Sequence, residues 1–281
     1  MAFHIVQSKQ NSRLKQLRRA LAAPGRGNDG VAGIEGPNLL AEALRAGLRM
    51  RTVFVAQGAE SLIEELALAA GTECLLVAKA LLNAALTTET PQPVAALVKP
   101  PEWGWADLLE GPNNTAPLVV VLVGLQDPGN LGTILRSAEA FGATGVVSLP
   151  GTVSAWNAKA VRASAGSVFR VPIVEADPEE CFQRLREAGV TILTTTASGA
   201  EAADAANLTA AVAILIGNEG NGVPRELAAQ ADAAITIPCP GLVESLNAAV
   251  AASVLLYEAS RQRSVRDVRA VPARRLKGAR R

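Results

Sequence analysis

From Leu118 onward the chain keeps returning to unbroken apolar runs: LVVVLVGL, GVVSLP, FRVPIVEA, VTILTTTA, AVAILIG and AAITIP. Each is closed by turn residues, and most are followed by a stretch of helical periodicity. A strand with one wet face alternates apolar and polar residues. A strand that is apolar throughout must be covered on both faces, as in a parallel sheet sandwiched between helices. The fold class expected is therefore α/β, a parallel sheet flanked by helices. In such sheets binding and catalysis sit beyond the carboxyl ends of the strands.

The first hundred residues follow a different rhythm. SKQNSRLKQLRRALAA, residues 8–23, reads as a helix that Ser8 or Asn11 can cap, with Leu14, Leu17 and Leu21 on one face. A turn cluster, PGRGNDG, follows. GVAGIEGPNLLAEALRAG then reads as a short strand entering a helix that ends at Gly47. TVFVA reads as a strand, SLIEELALAA as a helix and ECLLVA as another strand, so this part forms a small α/β unit of its own. The segment 87–117, TTETPQPVAALVKPPEWGWADLLEGPNNTAP, is dense in proline and turn dipeptides and is the expected boundary. The domain reading is 1–98 for the first unit, 99–116 for a linker, 117–264 for the large sheet and 265–281 for a basic tail.

Net charge is +1 over 281 residues, but its distribution is lopsided. Residues 1–51 carry +6 and residues 261–281 carry +8, while 52–260 carry −13. Basic ends around an acidic centre fit a polyanionic partner. On helix 8–19, Lys9, Arg13, Lys15 and Arg18, with Arg45, Arg49 and Arg51 further on, are the candidates to grip an RNA backbone. The alternative for the C-terminal run is a solvated tail.

Several classes of chemistry drop out on residue counts. His4 is the only histidine, which disfavours Ser-His-Asp, Cys-His and histidine-metal sites. Cys74, Cys181 and Cys239 are odd in number and widely spaced, as reduced thiols of a cytoplasmic protein would be, and no metal is expected. There is no signal-peptide pattern and no apolar run long enough to span a bilayer, so no membrane partner is expected.

Three strand-end segments carry the functional signal. In LVGLQDPGNLGTILRSAEAFGATGV, Gly124, Gly129 and Gly132 are read as preceding a helix, yet the spacing of a dinucleotide loop is absent and the next strand lacks the acidic residue a ribose would need. Asn130 and Arg136 stand out there; Arg136 is either a surface residue or aimed at a phosphate. In AILIGNEGNGVP, glycines permit positive φ and close approach of a ligand to the main chain, and Glu219 supplies a carboxylate. Its plainer reading is a loop capping the helix that starts near Pro224. In ITIPCPGLVESLNAAVAASVLLYEASRQR, a Pro/Gly turn leads into an Ala-rich helix suited to close packing. Ser245 lacks both G-x-S-x-G and a histidine, so it is a hydrogen-bonding hydroxyl and not a nucleophile.

Taken in order, N-L-G-T-I-L-R-S-A at 130–138, I-G-N-E-G-N-G-V at 216–223 and I-P-C-P-G-L-V-E-S-L-N-A-A-V-A at 237–251 resemble the three motifs of the SpoU (TrmH-like) family of RNA ribose 2′-O-methyltransferases, of the SPOUT superfamily. EGPNLLAEALRAG followed by VFVA is similar to the L7Ae/L30e-like substrate-binding domain often fused in front. The resemblance implies a C-terminal trefoil knot, which periodicity does not reveal. It implies S-adenosyl-L-methionine held by backbone groups near Gly217, Ile237 and Leu246, with Thr195 and Asn247 beside them. It assigns activation of the ribose hydroxyl to Arg136, arranged by Asn130 and Glu219, with Ser245 and Asn247 as the polar residues of the third motif. It also implies a homodimer and an RNA substrate, ribosomal (23S) in preference to transfer RNA. A non-catalytic RNA-binding protein is the alternative from another class. The family commonly has glycine after the Pro-Gln pair where this chain has Pro93.

Overall fold

The computed structural model describes residues 3–22, 30–64, 66–111, 115–197, 199–243 and 245–270, without the side chains of 265–270. Most of the turn cluster 24–30 and, for 271–281, the basic tail lie outside the described residues. Two sheets organise the rest. The first has the order β1-β4-β3-β5-β2, from β1 (His4–Val6), β2 (Ala32–Glu35), β3 (Met50–Ala56), β4 (Glu73–Val77) and β5 (Val94–Val98). β4 pairs in parallel with β1 and β3, while β5 runs antiparallel to β3 and β2. Its helices are α1 (Ser12–Ala22), α2 (Pro37–Arg45), α3 (Ser61–Glu64) and α4 (Lys79–Asn83).

Asn11 starts α1: its Oδ1 accepts from the amides of Arg13 and Leu14, at 2.9 and 3.2 Å, the orphan donors of a first turn. Leu14, Leu17 and Leu21 then bury against Phe54, Leu75 and Leu97. Two expectations differ from what is seen. SLIEELALAA is helical only over Ser61–Glu64. Val94–Val98, inside the proline-rich segment read as a boundary, is an interior strand of the first sheet. Its prolines flank the strand, where a missing amide costs no ladder bond.

The second sheet has the order β10-β12-β9-β11-β6-β7-β8, and all its strand pairs are parallel. Its strands are β6 (Leu118–Leu122), β7 (Gly145–Ser148), β8 (Ile173–Glu175), β9 (Thr191–Thr195), β10 (Glu201–Ala202), β11 (Val212–Ile216) and β12 (Ala233–Thr236). The helices are α5 (Trp105–Leu109), α6 (Pro128–Ala140), α7 (Ala158–Ala163), α8 (Pro178–Glu187), α9 (Arg225–Ala228) and α10 (Ala248–Ala270). β6 shows why its sequence is apolar throughout. Leu118, Val120 and Leu122 pack with α6, α7 and α10, and Val119 and Val121 pack with α5 and α8 on the other face.

The two units are packed together and not merely joined by a linker. One continuous core runs from Ile34, Leu40 and Val53 of the first unit to Ile134, Val161 and Leu256 of the second. At its surface Arg170 donates to Glu139 of α6 through Nε and, at 3.1 Å, through Nη2, and to Glu42 of α2 at 2.8 Å. The two carboxylates hold the Arg170 pKa above its ordinary value, with the Glu139 bond the largest cause; partial burial opposes it.

Two neighbouring side chains tie the later turns of α10 to the sheet, and Gln262 Oε1 accepts from the Leu208 amide at 3.0 Å. Arg263 donates to the carbonyls of Ala116, Pro117, Leu208 and Ala210, at 2.6, 3.0, 3.0 and 2.7 Å, at the entrances to β6 and β11. Burial lowers its pKa. Arg263→Ala removes four hydrogen bonds, and of their acceptors Pro117 retains the Val212 amide, so it is expected to cost about 3 kcal/mol of stability in denaturant titration. Arg263→Lys is expected to recover little of that loss, because an ammonium lacks the planar fork.

Candidate active site

The three singled-out segments converge at the carboxyl ends of β6, β9, β11 and β12. α6 begins at Asp127-Pro128. Asp127 caps it by accepting from the Gly129 amide at 2.8 Å, and proline occupies the first helical position. Gly129 and Gly132 therefore lie inside the helix and not ahead of it, which corrects the reading of a glycine loop. Gly132 serves packing: a Cβ there would stand 2.5 Å from both the Ala160 carbonyl oxygen and the Ala163 Cβ of α7.

After β11 the chain folds back on itself. Asn218 and Gly222 exchange backbone hydrogen bonds, and Asn218 Oδ1 accepts from the amides of Gly220 and Asn221 at 3.0 and 2.7 Å. Gly222 has φ +65°. A Cβ on Gly217 would lie 2.0 Å from the Gly222 carbonyl carbon and 2.3 Å from the Val223 nitrogen. Glycine is needed at 217 because the returning strand of its own loop touches it.

Glu219, at the tip, reaches the start of α6. Its Oε1 accepts from Asn130 Nδ2 at 2.8 Å and, more weakly, from the Asp127 amide at 3.4 Å. That carboxylate accepts only, so it fixes the Asn130 amide with its oxygen turned away. The Asn130 oxygen then accepts from Asn247 Nδ2 at 3.1 Å. Asn247 Oδ1 in turn accepts from the amides of Ala249 and Val250, at 2.9 and 3.2 Å, starting α10. One carboxylate thus orients two amides and ties motif two to motifs one and three. Partial burial pushes the Glu219 pKa up, but the bonds from Asn130 and from the backbone amides of Glu219, Asp127 and Gln126 together hold it below the usual carboxylate range. The network is therefore intact at neutral pH and lost only as pH falls through that depressed value.

Beside this network lies a cavity of about 640 Å³. Thr195, Gly217, Ile237, Ser245, Leu246 and Asn247 line it, with Glu219 at its mouth. Thr195 is held by donating Oγ1–H to the Leu215 carbonyl at 2.9 Å. Sequence reasoning missed Asn218, Cys239, Val243, Ala251 and Leu255 among its walls. Asp127 was missed too, although Asp-Pro ahead of an apolar periodicity is a helix-start signal. Arg136 is exposed on α6, and among the described residues no hydrogen bond or ion pair engages it. The candidates for RNA contact scatter over the first unit. Lys9, Lys15, Arg18 and Arg45 are exposed, whereas Arg13 is half-buried and committed to Glu73 at 2.7 Å.

The cavity suits S-adenosylmethionine chemically. Its volume is that of a small-molecule site, and its walls combine Gly217 and Gly222 and the aliphatic Ile237, Leu246 and Leu255 with the polar side chains of Thr195, Asn218, Glu219, Ser245 and Asn247, which suits a ligand with both apolar and hydrogen-bonding parts. Cys239 is exposed on its wall, while Cys74 and Cys181 are buried. Burial raises the pKa of both buried thiols, that of Cys181 to about 12, with Glu180 and Asp177 adding to it. A maleimide is therefore expected to modify Cys239 alone, and saturating S-adenosylmethionine to slow that reaction about tenfold or more by occupying the cavity. Intact-mass analysis over time reads both.

Comparisons with known proteins identify the family. The SpoU rRNA Methylase family matches residues 117–257, and the family described as RNA 2′-O ribose methyltransferase substrate binding matches residues 34–104. A 23S rRNA (guanosine(2553)-2′-O)-methyltransferase, RlmP of Bacillus subtilis, is 32% identical over 90% of this chain and 97% of its own length. The AdoMet-bound rRNA methyltransferase of Sinorhizobium meliloti superposes with a TM-score of 0.80 at 31% identity, covering 92% of this chain and 98% of that one. The SpoU methyltransferase AviRb of Streptomyces viridochromogenes, in complex with AdoMet, gives 0.79 at 30% identity, covering 91% and 99%. The chain belongs to the SpoU rRNA methylase family and is an S-adenosylmethionine-dependent RNA ribose 2′-O-methyltransferase.

Proposed function

We propose that the protein methylates a ribose 2′-hydroxyl of large-subunit ribosomal RNA in the cytoplasm, acting as a homodimer. The observation that carries the choice of RNA is the relative that methylates 23S rRNA: it is matched over nearly its whole length, first unit included. In this reading residues 1–98 form the substrate-binding unit, 99–116 the connection and 117–264 the knotted catalytic unit. When bound, S-adenosylmethionine supplies an electrophilic methyl group on a sulfonium. Thr195, Gly217, Ile237, Leu246 and Asn247 are the residues that hold it, by main-chain groups and packing.

Arg136 then faces the RNA. A guanidinium remains protonated at any working pH, so it stabilises the developing 2′-oxyanion and holds the adjoining phosphate; it does not itself remove the proton. Its exposure and its lack of a partner among the described residues support that role, because a cation already paired would first have to give up its carboxylate. Asn130, Glu219 and Asn247 keep the start of α6 fixed against the cofactor loops, and the Ser245 hydroxyl, exposed on the cavity wall, offers one further hydrogen bond. Among the candidates for backbone contact, Lys9 and Lys15 are exposed and, among the described residues, unpaired; Arg18 donates to the Ala84 carbonyl at 3.1 Å, Arg45 pairs with Glu42, and Arg13 would meet RNA only by leaving Glu73.

A second copy is the partner that suits α10. Val250, Val254 and Tyr257 are 49%, 40% and 55% exposed and, with Thr133 of α6 and Phe141 just beyond it, line an apolar groove of about 300 Å³. That groove borders Arg136 and the cavity residue Ala251 in sequence and in helix position, so a mate seated there would adjoin the site. Val254→Asp is expected to give a monomer by light scattering, with methyl transfer reduced about a hundredfold. A monomeric wild-type protein with full activity would contradict the dimer. For the substrate, initial rates with protein-free large-subunit ribosomal RNA are expected to exceed those with bulk transfer RNA at least tenfold, and the reverse order would overturn that choice.

A further inference from the structure

Beyond Arg136, the helix pair beneath it carries positive charge that the reaction as described leaves unused. α6 and α7 run side by side in the same direction. Gly129 stands beside Lys159, Gly132 beside Ala160 and Ala163, and Glu139 beside Arg170, just past the short 3₁₀ turn Ser167–Phe169 that follows α7. On α7, Ala160 and Val161 are buried, so Lys159 and Arg162 form an outward stripe at i and i+3, and the exposed Ala165 lies just beyond the helix at φ 50°. On α6 the matching outward residues are Thr133, Arg136 and Ala140.

The two ends of the α7 stripe are fixed by the fold. At one end Lys159 Nζ donates to Asp127 Oδ1 at 3.0 Å, the same Asp127 whose amide meets Glu219. At the other, Gly166 has φ +94°, and a Cβ there would stand 2.8 Å from Glu42 Cβ, so the stripe ends against α2 of the first unit. There Glu42 also binds Arg45. Midway sits Arg162, exposed and, among the described residues, engaged by no carboxylate and no hydrogen bond. Two exposed cations one turn apart, one of them unneutralised, complement a phosphodiester chain.

We infer that α7 is a phosphate track: Arg162, assisted by Lys159, holds the backbone of the substrate RNA between the substrate-binding unit at α2 and the target ribose at Arg136. This rests on the reading of the protein as an RNA methyltransferase and adds the surface along which the RNA enters. Arg162 does not touch the reacting atoms; it is a binding and positioning residue. Lys159 contributes less while Asp127 competes for it, so Arg162 carries the larger effect.

The test measures binding of protein-free large-subunit ribosomal RNA to full-length wild type, Arg162→Gln, Arg162→Lys and Arg184→Gln. Arg184 is exposed on α8, on the opposite face of the sheet, so it controls for loss of charge alone. Arg162→Gln is expected to weaken binding about tenfold and to reduce the slope of log affinity against log salt by roughly 0.7–0.9, the value of one phosphate contact. S-adenosylmethionine affinity and melting temperature should stay at the wild-type values. Arg162→Lys should recover most of the salt slope, and Arg184→Gln should match wild type. Wild-type RNA affinity and slope in Arg162→Gln would overturn the track, as would an equal loss in Arg184→Gln. Binding is read without methyl transfer. A wild-type protein that bound this RNA but left it unmethylated would therefore strike the functional reading, and the track would still be judged on binding.

Discussion

Arg136→Ala is expected to lower methyl transfer to RNA by at least about a hundredfold, with S-adenosylmethionine affinity and melting temperature unchanged. The size follows from the role. Removing one preorganised group that stabilises a developing oxyanion costs on the order of 10²–10³ in rate, and Arg136 combines that with a hold on the neighbouring phosphate. The selectivity follows from its position. Arg136 is exposed on α6, forms no bond to the cavity wall among the described residues, and belongs to none of the buried side chains that hold α6 in place, which are Leu131, Ile134, Leu135 and Ala138. Truncating it removes charge and leaves packing alone. Arg136→Lys separates the two roles: an ammonium keeps the charge but not the fork, so RNA binding should be largely retained while turnover stays low. Near-normal turnover in Arg136→Ala, measured with saturating RNA and cofactor, would remove Arg136 from the mechanism.

Gly217→Ala is expected to have the second large effect, and through a different cause. The added Cβ would meet backbone atoms of Gly222 and Val223 at 2.0–2.4 Å, where no side-chain rotation can relieve the contact. The loop 217–223 must open, and with it the placement of Glu219 against Asn130. Forced overpacking of this kind costs about 1–3 kcal/mol. Most of that loss falls on the loop that walls the cavity, so S-adenosylmethionine affinity should drop by roughly 10- to 100-fold in calorimetric titration. Global melting should shift by only a few degrees, because the buried strand before the loop is untouched. Gly220→Ala is the internal control: it lies at the exposed tip, and the only atom near its Cβ position is Asn218 Oδ1 at 3.8 Å. Equal affinities for wild type and Gly217→Ala would show that the returning strand does not set the shape of the cavity.

These two positions also show what the sequence made legible. The parallel sheet could be read because Leu118–Leu122 and Val212–Ile216 are apolar at every position, a pattern that only two-sided burial explains. The convergence of 130–138, 216–223 and 237–251 could be read because each lies at or beyond the end of a strand of that sheet, although β12, ahead of the third, is buried only at Ile235. The reason for Gly217 could not. Sequence suggests close approach of a ligand, whereas the neighbour that excludes a side chain is the chain's own return five residues later. Gly132 misled in the same way: its tight contact is with another helix, a tertiary fact with no local signature. The proline-rich stretch hid Val94–Val98 because proline marks the ends of a strand as readily as a linker. The Arg170 bridge from α6 to α2 joins residues far apart in sequence and was invisible for that reason. Asn11 was legible as a cap because capping depends on a spacing of two or three residues.

The central claim is that the cavity bounded by these loops delivers a methyl group to a ribose oxygen. Incubating the full-length protein with S-adenosylmethionine labelled at the methyl group and protein-free large-subunit ribosomal RNA, then digesting the RNA, tests it most directly. The label is expected in a single 2′-O-methylated nucleoside, recovered as an alkali-resistant dinucleotide, and absent when Arg136→Ala replaces the wild type. Label recovered on a base, or transferred equally well by Arg136→Ala, would contradict the account.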